Sequence, residues 1–124
     1  MIGYQMVGTN DLKKSGEFYD ALLAGMGAAR MMEDDRFIVW ATDPKQPAFS
    51  VTLPYDGEKA SVGNGSMTAF SCKDRAQVDK LHAKALELGA ANEGDSGPRG
   101  ESGFYAGYFR DPDGNKLNFF CMET

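Results

Sequence analysis

The feature that most constrains the fold is an internal repeat, because one helix-forming segment occurs twice at an offset of about half the chain. The two copies cover residues 11–27 and residues 74–89. In each copy apolar residues recur at spacings of three and four, which predicts a short amphipathic helix. Asp74 followed by Gln77 is typical of a helix start, and Gly89 of a helix end. The repeat therefore predicts two modules with the same plan.

Strand candidates complete each copy, with one before the helix and three after it. They cover residues 2–8, 28–32, 37–41 and 49–55 in the first copy, and 66–72, 91–93, 104–110 and 116–121 in the second. The plan is βαβββ twice, with modules at about residues 1–56 and 63–124 of a single domain spanning 1–124. We expect an α+β fold whose curved mixed sheets, each backed by one helix, surround a concave cavity.

The segments between these elements have the composition of turns and loops. Asp111-Pro112-Asp113-Gly114-Asn115 is a strong hairpin signal, and a polar linker over residues 55–65 joins the modules. The glycine-rich segment 94–103 is predicted to be a loop of a length that is often functional, although a merely mobile loop is an equal alternative.

Charge and composition exclude several classes of partner. The net charge is −5 and the chain has no run of Lys or Arg, so we expect no nucleic acid partner. No apolar run approaches the ~20 residues of a membrane helix, so we expect no membrane partner. The two cysteines, Cys72 and Cys121, show neither a CxxC spacing nor a secretory segment before them. Reduced thiols in a cytoplasmic protein are the expectation.

Three segments carry a resemblance to a known family. They read Gly-Thr-Asn-Asp-Leu-Lys-Lys-Ser-Gly-Glu-Phe-Tyr at residues 8–19, Gly-Asn-Gly-Ser-Met-Thr-Ala-Phe at 63–70 and Tyr-Ala-Gly-Tyr-Phe-Arg-Asp-Pro-Asp-Gly-Asn-Lys-Leu at 105–117. The chain resembles the vicinal oxygen chelate superfamily, which includes glyoxalase I, extradiol dioxygenases, fosfomycin-resistance enzymes and bleomycin-binding proteins. The resemblance extends from about residue 2 to 121 and implies the glyoxalase-like fold. A ferredoxin-like dimeric α+β barrel is the rival, but it leaves two strand candidates in each half unexplained.

The resemblance also locates the positions of metal ligands. In metal-dependent members, His or Glu/Gln side chains on the first, fourth, fifth and eighth strands hold a divalent cation. The matching positions here are Tyr4, about Val51, Met67 and Asn118. These side chains supply neither imidazole nor carboxylate, and residues 48–54 and 66–72 contain no His, Asp, Glu or Gln at all. We therefore predict no metal and no cofactor.

No other set of residues suggests a catalyst. His82 is the only histidine and lies on the second predicted helix, where a packed or solvated residue is the expected role. Neither Cys72 nor Cys121 has an obvious base beside it, so both are interpreted as buried structural thiols. We predict no catalytic residue.

The predicted concave face offers apolar and aromatic side chains with a few polar groups, which is typical of a small-molecule pocket. Alternation along the strands assigns most of the set, with Val39 an alternative to Trp40 and Tyr108 an alternative to Tyr105, while Arg99 is available to clamp an anionic group. The candidate pocket residues are Tyr4, Met6, Trp40, Val51, Met67, Arg99, Tyr105, Asn118 and Phe120. The alternative is that these residues fill a closed core.

Two functions are consistent with this pattern. The first is a metal-free binding protein, similar to bleomycin-resistance proteins, that holds a small organic molecule. The second is a lyase, isomerase or dioxygenase of the same superfamily, such as a lactoylglutathione lyase, with an atypical site. Because members commonly build cavities from paired βαβββ modules, and isolated sheets leave edge strands exposed, we also expect a homodimer. The alternative is that both modules pair within one chain, so that the cavity is complete in the monomer.

Overall fold

The computed structural model describes residues 1–123, which form two compact units: module 1, Met1–Val62, and module 2, from Gly63 onward. Module 1 consists of β1 (Tyr4–Gly8), α1 (Leu12–Leu23), a short 3-10 helix (Ala24–Met26), β2 (Ala29–Glu33), β3 (Phe37–Ala41) and β4 (Ala48–Thr52). Module 2 consists of β5 (Thr68–Ser71), α2 (Arg75–Glu87), β6 (Ala91–Pro98), β7 (Phe104–Arg110) and β8 (Lys116–Met122). Within residues 1–123, no helix has the length and apolar character needed to cross a bilayer.

The two modules share one topology. Their sheets have the strand orders β1-β4-β3-β2 and β5-β8-β7-β6. In each sheet the first strand pairs in parallel with the fourth and the remaining pairs are antiparallel. The parallel pair requires a crossover connection, which the helix and the intervening strands provide. This confirms the α+β class and the mixed sheets with one helix per module, whereas the concave cavity stays a prediction.

The main difference from the sequence-based prediction concerns β6. The sequence predicts a strand over residues 91–93 and a loop over 94–103, but β6 continues to Pro98 by pairing with β7 through register shifts on both sides of Gly94. Glycine and serine have low strand propensity, and bulges interrupt the alternation that marks a strand. Backbone pairing with β7 therefore forms a strand that side-chain patterns do not reveal, and only residues 99–103 bend between the two strands.

The core of module 1 lies between α1 and its sheet. Asp11 caps α1, since its side chain accepts a hydrogen bond from the Lys14 amide at 3.0 Å. Tyr19 is completely buried, and its ring centroid lies 5.5 Å from that of Trp40 and 4.8 Å from that of Phe49. These rings fix the helix against β3 and β4, with aromatic geometry that adds to the burial of apolar surface.

In module 2, α2 packs in the same way on β7 and β8. Asp74 caps the helix by accepting from the Gln77 amide at 2.8 Å, as the sequence predicts. His82 is buried and its Nε2 donates to the Tyr108 carbonyl at 3.0 Å. The His82 ring lies so close to β7 that a Cβ at Gly107 would be 2.8 Å from it. Only glycine at that position lets the helix approach the strand this closely.

The turn between β7 and β8 is built around one buried carboxylate. Asp111 is 4% exposed, and its Oδ1 accepts from the backbone amides of Asp113 and Asn115, both at 2.9 Å. Its Oδ2 accepts from the Asn115 side chain at 3.0 Å. Gly114 has φ +89°, a left-handed conformation that favours glycine. The turn fixes the hairpin register, which begins at the pair Arg110 and Lys116.

Each helix covers one face of its sheet, and we call the opposite face of the same sheet its open face. Side chains alternate between the two faces along a strand, and register partners on adjacent strands share a face. The contacts of α1 with Trp40 and Phe49 and of α2 with Gly107 identify the helix side. The strand registers then assign each of the remaining paired residues either to the helix side or to the open face.

Candidate functional site

The open face of module 1 is largely apolar. Its members are Tyr4 and Met6 of β1, Met32 of β2, Phe37, Val39 and Ala41 of β3, and Ala48, Ser50 and Thr52 of β4. Tyr4 is 66% exposed and Met32 56% exposed, although both side chains are large. A group of exposed large apolar side chains on one surface marks a site of interaction with a ligand or a partner.

Two of the predicted pocket residues in module 1 lie on the other face. Val51 is completely buried and lies on the helix side, because it is two residues from Phe49 on β4 and Phe49 contacts Tyr19 of α1. Trp40 is 1% exposed, packs on Tyr19 and donates its indole N–H to Asp20 at 2.9 Å. The register therefore corrects the prediction by one residue in each strand, so that Ser50 and Val39 take the places of Val51 and Trp40.

This correction does not create a metal site. On module 1 the two open-face positions matched to ligands are now Tyr4 and Ser50, and the Ser50 hydroxyl donates to the Gln5 carbonyl at 3.0 Å. On module 2 they are Met67 and Asn118. A phenol, a hydroxyl, a thioether and a neutral amide do not fit a divalent cation that prefers imidazole and carboxylate ligands. Throughout residues 1–123, no three His, Cys, Asp or Glu side chains are grouped so that they could hold an ion.

The open face of module 2 is more polar. Its members are Ala69 and Ser71 of β5, Gly94 and Gly97 of β6, Phe104, Ala106, Tyr108 and Arg110 of β7, and Lys116, Asn118, Phe120 and Met122 of β8. Met67 lies one residue before β5 and is 44% exposed. The rings of Phe104 and Phe120 stack at 5.7 Å between centroids. The structure thus places Asn118 and Phe120 together on one surface, as alternation predicts.

Tyr108 is at the centre of this face and has two cations beside its ring. The Arg99 Cζ lies 5.3 Å and the Lys116 Nζ 5.6 Å from the ring centroid. Asn118 is the register partner of Tyr108 and is 1% exposed, and its Oδ1 has no hydrogen-bond partner. Lys116 is not among the pocket residues predicted from the sequence, although counting back from the turn pairs Arg110 with Lys116 and therefore Tyr108 with Asn118.

Tyr105 does not belong to this face, which corrects its assignment to the pocket. It is three residues from Tyr108, so it points to the helix side, where its hydroxyl donates to Asp79 of α2 at 2.7 Å. Hydrogen bonds from Ser96 and Tyr105 lower the pKa of Asp79, and the bond to Asp79 raises the pKa of Tyr105. These three side chains join α2 to β6 and β7, and their role is structural.

The remaining candidate nucleophiles are also in structural positions. Cys72 and Cys121 are both free and buried. Burial raises the pKa of Cys72 to about 11, and burial likewise raises the pKa of Cys121. Since the thiolate is the nucleophilic form, these shifts disfavour a nucleophilic role for either cysteine. The His82 Nε2 donates to a backbone carbonyl, so this nitrogen cannot serve as a base while that bond is formed.

Module 1 also has a groove of about 610 Å³ beside α1, on the helix side of its sheet. It is lined by Leu12, Lys13, Glu17, Arg30, Glu33, Asp34 and Ile38. Ion pairs join Lys13 to Glu17 and Arg30 to both Asp20 and Glu33, and Asp34 accepts hydrogen bonds from the backbone amides of Arg36 and Phe37. The groove contains none of the predicted pocket residues.

Comparison with known families gives one match over almost the whole chain. The model of the Glyoxalase/Bleomycin resistance protein/Dioxygenase superfamily matches residues 1–119. No curated protein sequence matches the chain.

Solved structures are similar over most of their length. A glyoxalase/bleomycin resistance protein from Albidiferax ferrireducens T118 is 34% identical, with 99% of each chain covered and a TM-score of 0.90. A glyoxalase-related enzyme from Fulvimarina pelagi is 20% identical, covers 98% of this chain and 87% of its own, and has a TM-score of 0.76. A lactoylglutathione lyase from Agrobacterium tumefaciens is 18% identical, with coverage of 98% and 92% and a TM-score of 0.71. The last two comparisons support the fold alone.

Proposed function

Because the chain belongs to the Glyoxalase/Bleomycin resistance protein/Dioxygenase superfamily, we propose that it is a metal-free protein that binds a small, partly aromatic organic molecule on the open faces of its sheets. The observation that carries this proposal is the composition of those faces. They combine exposed large apolar side chains with a few polar groups, and the positions matched to metal ligands hold Tyr4, Ser50, Met67 and Asn118. Flexible methionines adapt to ligands of different shape.

Catalysis is not part of the proposal. A lyase, isomerase or dioxygenase of this superfamily needs a metal or a positioned base. Within residues 1–123 no group of metal-binding side chains is found, and the only histidine is buried on the helix side of its sheet. The lactoylglutathione lyase from Agrobacterium tumefaciens shares the fold at 18% identity, which does not transfer its activity.

Calorimetry with a neutral aromatic probe tests this proposal. We expect 2-naphthamide to bind with the same Kd before and after treatment of the protein with a mild chelator, because apolar burial and ring contacts drive binding. Binding that is lost on chelation and restored by zinc or nickel would contradict the proposal. So would the absence of any binding across a series of flat neutral compounds.

The proposal includes a homodimer, in which a second copy lies over the open faces and encloses the ligand. The exposed large side chains of module 1 support it, as do the edge strands β1 and β2 of its sheet and β5 and β6 of the other. Sedimentation velocity at micromolar concentration is expected to give twice the mass of one chain. A stable monomer would contradict this part of the proposal.

The proposal places the protein in the cytoplasm, where the free cysteines stay reduced. Cell fractionation tests this location.

A further inference from the structure

We propose that the open face of module 2 selects organic anions, with Arg99 and Lys116 binding the acidic group of an aromatic carboxylate or a similar acid. This inference rests on the proposed function, because it names the chemical class of ligand for one of the same faces. The family match assigns no charge to the ligand. The contacts that hold the Arg99 and Lys116 side chains are what indicate an anionic ligand.

Arg99 directly follows β6, and backbone carbonyls of that strand hold its side chain in position. Its Nη1 donates to the carbonyl of Gly97 at 2.9 Å and of Pro98 at 3.5 Å, and its Nη2 donates to that of Asp95 at 2.7 Å. A guanidinium has five N–H groups, so these three bonds leave two for a ligand. The half-buried side chain lies back over the sheet beside Tyr108 instead of extending into solvent. A fixed arginine loses less conformational entropy on binding than a mobile one.

Neither Arg99 nor Lys116 has a carboxylate partner within residues 1–123. The third cation of this face is different, since Arg110 pairs with Glu93 at 2.7 Å. Two cations beside one ring repel each other, and a chain with 18 acidic and 13 basic residues has ample carboxylates to neutralise them. The unneutralised pair on one half-buried face is therefore the feature that points to an anionic ligand.

Asn118 supplies a second and independent indication of a ligand. It lies opposite Tyr108 in the hairpin register and is buried, and its Oδ1 has no hydrogen-bond partner. A buried amide oxygen without a partner is unfavourable, so a donor on a ligand would stabilise this position. The face thus offers cations for an acidic group, rings for a flat group and one acceptor for a polar hydrogen.

The test compares a charged probe with its neutral isostere on the full chain. Calorimetry measures the binding of 2-naphthoate and 2-naphthamide to the unmodified protein, to R99Q/K116Q and to the control K80Q/K84Q. The control changes the net charge equally but lies on α2, which packs on the other face of the same sheet. We expect naphthoate to bind at least about tenfold more tightly than naphthamide, because hydrogen bonds between charged groups are the stronger ones. The preference should decrease at high salt.

R99Q/K116Q should lose this preference and keep its affinity for naphthamide, while K80Q/K84Q should keep both. Equal affinity of the unmodified protein for the two probes would overturn the inference and leave the proposed function intact, whereas failure of both probes to bind would contradict the proposed function itself. A preference that survives in R99Q/K116Q, or that is lost equally in K80Q/K84Q, also overturns it. The salt dependence in the unmodified protein requires no variant, so the inference stays testable if R99Q/K116Q does not fold.

Discussion

Replacing Trp40 with alanine is expected to lower the free energy of unfolding of module 1 by about 3–5 kcal/mol, the usual cost of removing a buried tryptophan. Trp40 is 1% exposed and packs on Tyr19 and Phe49, with an additional hydrogen bond to Asp20. Truncation leaves a cavity that these neighbours cannot close and removes the indole donor. Chemical denaturation followed by far-ultraviolet circular dichroism measures the change.

Tyr4→Ala is the matched control, because it also removes a large aromatic side chain but from the open face. Tyr4 is 66% exposed, so we expect a loss of about 0.5 kcal/mol or less. Equal losses in the two variants would show that the faces of this sheet have been assigned wrongly. The same geometry means that Trp40 has no direct contact with a ligand on the open face, so its fluorescence is a poor reporter of binding.

The Asp111→Ala variant is expected to destabilise module 2 by about 2–3 kcal/mol. The buried Asp111 carboxylate accepts three hydrogen bonds, from the Asp113 amide and from the amide and side chain of Asn115. When a hydrogen-bond acceptor is removed, a buried donor that is left without a partner costs about 1–3 kcal/mol. The turn also sets the register that places Tyr108 opposite Asn118, so naphthoate binding should weaken in the same variant.

Asp56→Ala provides the comparison for this turn. Asp56 is exposed and its side chain accepts one hydrogen bond, from the Glu58 amide at 2.9 Å. Thermal denaturation should show a loss within about 0.5 kcal/mol, as for most exposed positions. A similar loss in both variants would mean that the buried network around Asp111 adds nothing to stability.

The fold could be predicted from the sequence because its signals are local and occur twice. The cap at Asp74, the helical spacing and the turn at residues 111–115 each determine local structure without knowledge of the rest. The second half of β6 could not be predicted in this way. Its strand geometry depends on backbone pairing with β7, and Gly94 and Gly97 carry no side chains to show it.

The candidate site was predicted less well because a face assignment depends on register. The sequence of a strand shows which residues alternate, but not which of the two alternating sets of side chains faces the helix. An error of one residue in the register therefore reverses the assignment of the whole strand. Val51 and Trp40 were misplaced for this reason. Tyr105 could have been assigned correctly, because the hairpin turn fixes the pairs on both sides of it and Tyr108 lies opposite Asn118. The position of the Arg99 side chain depends on backbone carbonyls of β6 and has no signature in the sequence.

If the open faces bind a small organic molecule, mapping the bound probe by amide chemical shifts should locate it there. On titration with 2-naphthoate, we expect shifts at open-face residues such as Met6, Tyr108 and Phe120. The indole N–H signal of Trp40 and the amides of α1 and α2 should stay in place, since they lie on the helix side. Shifts confined to the groove beside α1 or to the helix side, with the open-face signals unchanged, would contradict the account.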